Sequence, residues 1–296
     1  MEIGFLKNAR WAVACWVILV MVVVLLIPKV PACTLWSAAG ESVFGGGTFI
    51  VKNRDWVADH QQQLEISSLH VAGYRYLGLI ATGNEPGLKA GVNSKGLVFV
   101  NASPPSHLER DKGLRRVSGI GRKILAGCRT VKQALSHGEW FIGPQFIMLA
   151  DGNEVAVIEL GLDGKFQVQS TTSGVVFHTN HYIEREFATL NQDKPGVSSV
   201  KRYEKVQQFL RSKEKFELSD FIQVSASTED GPDNSLWRTG SKPTSARTLA
   251  TWIVYQPPSN EGVLYLKMAN PGKEIKAYQF KLQDVFSGKA NISGVE

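Results

Sequence analysis

Several polar residues stand at the ends of apolar runs and share one chemistry. Cys33 follows Val30-Pro31-Ala32 and opens the run 34–38. Asp55, with Lys52 and Arg54 beside it, closes Thr48-Phe49-Ile50-Val51; Asn101 closes Leu97-Val98-Phe99-Val100; Asn180 ends a run that passes through Thr179. An ionised thiol is a strong nucleophile, and a nearby cation favours its ionisation or holds a substrate anion. Neutral amide donors stabilise the oxyanion formed when a carbonyl is attacked, each worth roughly 3–4 kcal/mol in the transition state. A carboxylate such as Asp55 orients an ammonium or a thiol. The set therefore suits cleavage of an amide. Taken singly, each has an ordinary reading: an Asn at a strand end is turn chemistry, and Asp55 beside Arg54 is a surface ion pair.

What precedes Cys33 gives it a second chemical property. Lys7 and Arg10 lead into an apolar segment from Trp11 to Ile27, and Val30 and Ala32 occupy the −3 and −1 positions of a signal-peptide cleavage site. Removal of residues 1–32 makes Cys33 the first residue, and an N-terminal amine can act as the base for its own side chain. Its unperturbed pKa of about 7.7–8 suits taking the thiol proton and returning it to a leaving amine. Two other readings stay open: an uncut membrane anchor, since the apolar run reaches the lower length limit for a span, and lipid attachment at Cys33. Lys29 and Pro31 fit a lipoprotein box badly.

Composition narrows the class. Removing 32 of 296 residues leaves 264, enough for one large domain, and 43% hydrophobic against 20% charged residues excludes general disorder. The net charge is +6, of which the leader holds +2, and no arginine-rich run with interleaved aromatics points to nucleic acid. The leader takes Cys15, so Cys33 and Cys128 remain, and no Cys/His spacing indicates a metal site. Cys128 falls among Ile124, Leu125, Val131 and Leu135 at helical spacing and reads as a core thiol. A Cys33–Cys128 bridge in a structural domain is the rival in an oxidising compartment.

The elements that must position these residues are mostly strands. Runs at 34–38, 48–51, 64–71, 74–80 and 97–100 are followed by two helical patches from Val117 to Leu135, then by a meander over 145–150, 154–160, 165–169 and 175–179. Asp151-Gly152 and Asp163-Gly164 mark hairpins in that meander. A helix with Val200, Tyr203, Val206 and Leu210 on one face starts with Ser198 or Ser199 as its cap, 218–225 reads equally as helix or strand, and strands at 248–256, 262–269 and 277–282 close the chain. The pattern is one α+β domain over 33–296, with helices covering antiparallel sheets.

These residues resemble the N-terminal-nucleophile hydrolases, in the branch of the choloylglycine hydrolases and penicillin acyltransferases. The resemblance rests on Cys33-Thr34, Asn53-Arg54-Asp55-Trp56, Asn93-Ser94-Lys95-Gly96-Leu97, Thr179-Asn180-His181-Tyr182 and Ser198-Ser199-Val200-Lys201-Arg202, in that order along the chain. It implies a four-layer αββα sandwich and hydrolysis of a linear, non-peptide carbon–nitrogen amide, with acyl transfer to an amine as a close variant. It also implies Cys33 as nucleophile, Asp55 as the group fixing the centre, Asn101 and Asn180 as oxyanion and amine-positioning groups, and Arg202 as a site arginine. Relatives often carry Arg where this chain has Lys52, which lacks the guanidinium fork; Lys52 and Arg54 are both open as its substitute. The expected partners are a small N-acyl amide and a signal peptidase, with no cofactor, no metal and no nucleic acid, in a periplasmic or secreted protein. A homo-oligomer is compatible with this, and so is a lipidated or anchored binding protein of the same fold.

Overall fold

A computed structural model describes residues 32–67, 73–83, 86–110, 119–192, 194–259 and 261–295. The apolar leader and Cys15 lie outside the described residues, as do parts of the runs at 64–71 and 117–135. Thirteen described strands form two antiparallel sheets. One holds β1 (Ala32–Ala39), β2 (Thr48–Trp56), β10 (Gly174–His178), β11 (Arg247–Gln256), β12 (Val263–Met268) and β13 (Lys276–Lys281), in the order β10-β1-β2-β11-β12-β13. The other holds β3 (Gln61–Ile66), β4 (Tyr76–Thr82), β5 (Gly87–Asn93), β6 (Val98–Ala102), β7 (Gln145–Ala150), β8 (Val155–Leu160) and β9 (Phe166–Thr171) in sequence order.

The strands are apolar on both faces, and alternation sorts them between two interfaces. Leu35, Ile50, Trp252, Val100 and Met148 meet between the sheets. Their neighbours Trp36, Val51 and Ile253 face outward, against Val206 of α4 (Val197–Arg211) and Phe221 of α5 (Leu218–Ser225). Phe99 and Leu149 face the opposite way, against Ile124 and Leu125 of α2 (Ile120–Gly127) and Val131 of α3 (Val131–Leu135). Helix, sheet, sheet and helix make the expected α+β, four-layer sandwich. Two further short α-helices are α1 (Ser106–Arg110) and α6 (Leu282–Ser287).

Two stretches without a settled element resolve, and one expectation changes. Residues 87–93 form β5 although the run Gly-Leu-Lys-Ala-Gly-Val-Asn carries little strand propensity. Gly91 is required by packing, since a Cβ there would lie 2.5 Å from Leu125 Cδ1 of the helix above. Residues 218–225 are a helix, secured by a capping box in which Glu217 and Asp220 each accept from the other's main chain. Helix α4 is capped by neither serine: it starts after Gly196, while Ser198 Oγ donates to Asp233 O and Ser199 Oγ accepts from Asn180 N.

The meander also departs from its sequence order. β7, β8 and β9 pair as hairpins, but β10 leaves that sheet and pairs with β1, with Trp36 opposite Phe177 and Leu35 opposite His178. That crossing carries Asn180 to the start of β1.

Candidate functional site

The site gathers at one end of the first sheet, where β1 begins, β2 ends and β10 ends. Register sets the relationships: Ala32 lies opposite Asp55, Cys33 opposite Arg54 and Thr34 opposite Asn53. Alternation then places Cys33, Arg54 and Lys52 on the face toward the second sheet, and Thr34, Asn53 and Asp55 on the face toward α4. The thiol and the Asp55 carboxylate therefore sit on opposite faces of one sheet.

Around Cys33 the contacts are to its main chain. In the full-length chain its nitrogen is a peptide N–H, which stands where the α-amine of a cleaved chain would be. That N–H donates to Asn180 Oδ1 at 2.8 Å, and the Cys33 carbonyl accepts from Arg202 Nη1 at 2.8 Å. Arg202 Nη1 also donates to Thr34 Oγ1 at 2.6 Å and its Nη2 to Asn180 Oδ1 at 3.1 Å. Asn180 is itself held, through Nδ2 to Ser103 O at 2.9 Å and through its main-chain N to Ser199 Oγ at 2.8 Å. Ser199 and Arg202 lie three apart, on one face of α4, so a single helix turn clamps both Asn180 and the start of β1.

Below this clamp lies a charge cluster. Asp55 is fully buried, its Oδ1 accepting from Thr248 Oγ1 at 2.7 Å, while its Oδ2 stands 3.9 Å from Arg238 Nη1 and 4.0 Å from Arg202 Nη1 without a hydrogen bond. Burial pushes the Asp55 carboxyl up, opposed by Arg238, then Arg202 and the Thr248 hydroxyl. Burial likewise pulls Arg202 down to about 10, with Asp55 opposing, which leaves it a cation at neutral pH. Asp55 and Arg54 are thus not the surface ion pair of the plainest reading. Both are buried, and Arg54 turns to His60, its Nη2 donating to Nδ1 at 2.9 Å, with its guanidinium 5.3 Å from the Trp56 ring.

On the inner face Lys52 bridges the two sheets. Its ammonium donates to Asn101 Oδ1 at 3.0 Å, to the Asn101 carbonyl and to Lys89 O at 2.9 Å. Burial lowers its pKa to about 8, with Cys33 opposing and Arg54 adding to the fall. Accepting at Oδ1 fixes which end of the Asn101 amide donates. Beside the clamp, burial first and then the neighbouring His178 hold His181 down to about 4, so it is neutral, with Nδ1 2.9 Å from Ser199 Oγ. Asn93 plays no part here: its amide donates to Leu125 O and Cys128 O and accepts from Lys95 N and Leu97 N, closing its own turn. Cys33 and Cys128 are both unpaired, and Cys128 sits in the outer core under α2 and α3, so the bridged reading finds no bond between them.

A cavity of about 430 Å³ opens onto this arrangement, lined among others by Ala32, His107, Asn180, Lys194, Arg202 and Arg238. Arg238 belongs to none of the sequence motifs. It lies in the coil between α5 and β11, and Thr248, ten residues on, holds its main chain beside the site. Nothing in the local sequence marks it beyond a charged residue after Trp237 in a polar stretch.

The structure is similar to penicillin V acylase from Agrobacterium tumefaciens, with a TM-score of 0.52 at 14% identity, over 85% of this chain and 86% of that one. A conjugated bile acid hydrolase variant from Clostridium perfringens aligns with a TM-score of 0.48 at 15% identity, over 84% and 97%. No curated protein matches the sequence. The family model for acyl-coenzyme A:6-aminopenicillanic acid acyl-transferase matches residues 43–273, more than three quarters of the chain, a span that begins after Cys33 and contains Asp55, Asn101, Asn180, Arg202 and Arg238. By that match the chain belongs to the acyl-coenzyme A:6-aminopenicillanic acid acyl-transferase family.

Proposed function

We propose that the protein is an exported amidohydrolase whose single catalytic domain, 33–296, becomes active when a signal peptidase cuts after Ala32 and frees the Cys33 amine. The observation that carries this is the pair of hydrogen bonds on the Cys33 main chain, from its nitrogen to Asn180 and to its carbonyl from Arg202. A structural cysteine needs no buried arginine and asparagine on its own backbone. A nucleophile whose amine must point at its own thiol does.

In the cleaved chain the neutral α-amine takes the Cys33 thiol proton and the thiolate attacks the amide carbonyl carbon. Asn180, held by Arg202 and Ser199, orients the amine; Asn101, held by Lys52, supplies an amide donor to the oxyanion. As the carbon–nitrogen bond breaks, the ammonium gives its proton to the departing amine, leaving an acyl-thioester. Water, deprotonated by the same amine, releases the acid; an amine in place of water gives acyl transfer instead. Asp55 keeps the two guanidiniums in place from the other face of the sheet.

The experiment is mass spectrometry of protein exported with its own leader, then incubated with a panel of N-acyl amides. The expected result is an N-terminus at Cys33 and an acyl adduct on that residue, absent in Cys33→Ala although that variant folds. Met1 or a lipidated Cys33 at the terminus, or turnover by Cys33→Ala, sinks the mechanism.

A further inference from the structure

Glu159 stands where alternation calls for a hydrophobic residue. It is the one charge in the run Val155–Leu160 that forms β8, and it shares with Val155 and Val157 the face between the two sheets. The residue is 2% exposed. A carboxylate so deep is costly unless polar groups complete it. Three surround this one. Its Oε1 accepts from the Ile183 N–H at 2.7 Å and lies 2.7 Å from His178 Nε2, and its Oε2 accepts from the Glu184 N–H at 3.2 Å. His178 is fixed in turn, its Nδ1 2.9 Å from Thr179 O and its ring centre 4.1 Å from that of Phe146.

These contacts bracket Asn180. His178 precedes it, Ile183 and Glu184 follow it, and one carboxylate thus fastens both ends of the segment 178–184. It does so from the second sheet, since Glu159 belongs to β8 while His178 ends β10, the strand that crosses into the first sheet. Between those ends Asn180 reaches the Cys33 nitrogen with its Oδ1. We propose that Glu159 is a positioning residue that acts through Asn180: it sets the reach of that Oδ1 and so the aim of the amine that a cleaved chain carries at Cys33. The inference rests on the amidohydrolase reading. A misplacement of about 1 Å in a reacting geometry can cost about a hundredfold in rate, so a group that touches no reacting atom can still govern proton transfer.

The test uses the full chain produced with its leader and purified after export, acylated in single turnovers with p-nitrophenyl hexanoate and N-hexanoyl-p-nitroanilide. Both place the same acyl group on Cys33, but the phenolate leaves without a proton, whereas the anilide nitrogen must take one from the amine. Glu159→Gln should slow release of nitroaniline by about tenfold more than release of nitrophenolate. Combined with Asn180→Ala it should add little to the loss of Asn180→Ala alone, because both act on one contact. His178→Gln leaves the carboxylate and its two main-chain donors in place; it should give the same signature in smaller degree, and it carries the test if Glu159→Gln does not fold. Equal losses on the ester and the anilide, or losses that multiply in the double variant, would mark a general packing defect and overturn the inference while leaving the hydrolase reading intact. A wild type that forms no acyl adduct on Cys33 from either compound removes that reading and this inference together.

Discussion

The side-chain oxygen of Asn180 lies 2.8 Å from the main-chain nitrogen of Cys33, a contact closed across 147 residues of chain. The same oxygen accepts from Arg202, so asparagine, arginine and the start of β1 form one buried unit. The contact addresses the atom that would become the catalytic base, which ties the variants below to distinct steps.

Asn180→Ala removes the acceptor that orients the amine while leaving the thiol in place. The expected outcome is a fall in kcat of about a hundredfold or more, within the range attributed to a positioned proton-transfer group, with KM little changed. Single-turnover acylation rates check it; a variant within a few-fold of wild type would detach Asn180 from the reaction.

Arg202→Met leaves Asp55 with Arg238 as its nearest cation and strips the Cys33 carbonyl and Thr34 of their donor. Breaking a buried charge set from one side costs about 3–5 kcal/mol, so urea denaturation should show a midpoint far below wild type. Arg202→Met/Asp55→Asn should recover part of the loss, because the uncompensated charge goes with its partner.

Lys52 gives a pH signature in stability. Its pKa is about 8 folded against 10.5 as the unperturbed value, so between these limits the unfolded chain holds a proton that the folded chain has lost. Unfolding free energy should therefore rise with pH across roughly pH 8 to 10.5, and the gap is worth ~3 kcal/mol. Below pH 8 the folded protein carries the whole cost of a buried ammonium. In Lys52→Met this rise should be missing, so the stability difference between wild type and variant should climb across the same pH window, as measured by denaturation at stepped pH.

Ala32 occupies the strand position opposite Asp55 and lines the cavity. Ala32→Leu should slow cleavage by enlarging the −1 residue, and the exported protein should then retain its leader. Intact mass should show the precursor, and that precursor should form no acyl-enzyme, since its residue-33 nitrogen is an amide with no lone pair for a proton. Acylation of an uncut chain would show that the α-amine is not the base.

The local architecture was largely legible because it is written in neighbouring residues. Asp151-Gly152 and Asp163-Gly164 join β7, β8 and β9 as hairpins, and strands apolar on both faces already require cover from two sides. β5 was not legible, since its fitness depends on α2 pressing on Gly91. Ser198 and Ser199 read as caps, yet each hydroxyl is used elsewhere, on Asp233 and Asn180.

By itself the sequence determined which residue types were at hand: a cysteine behind a cleavage motif, with Asp55, Asn101, Asn180 and Arg202 at the ends of elements. It determined an α+β arrangement of helices over antiparallel sheets, because alternation and hairpin turns act over a few residues, while the four-layer order came only from the family resemblance. Only the tertiary structure decided who meets whom. The crossing of β10 into the first sheet brings Asn180 to Cys33, the register of β1 on β2 sets Asp55 opposite Ala32 and away from the thiol, and a coil stapled to Thr248 delivers Arg238. The meeting of Asn180 with Cys33 depends on packing between segments 147 residues apart, and local spacing carries no record of such distances.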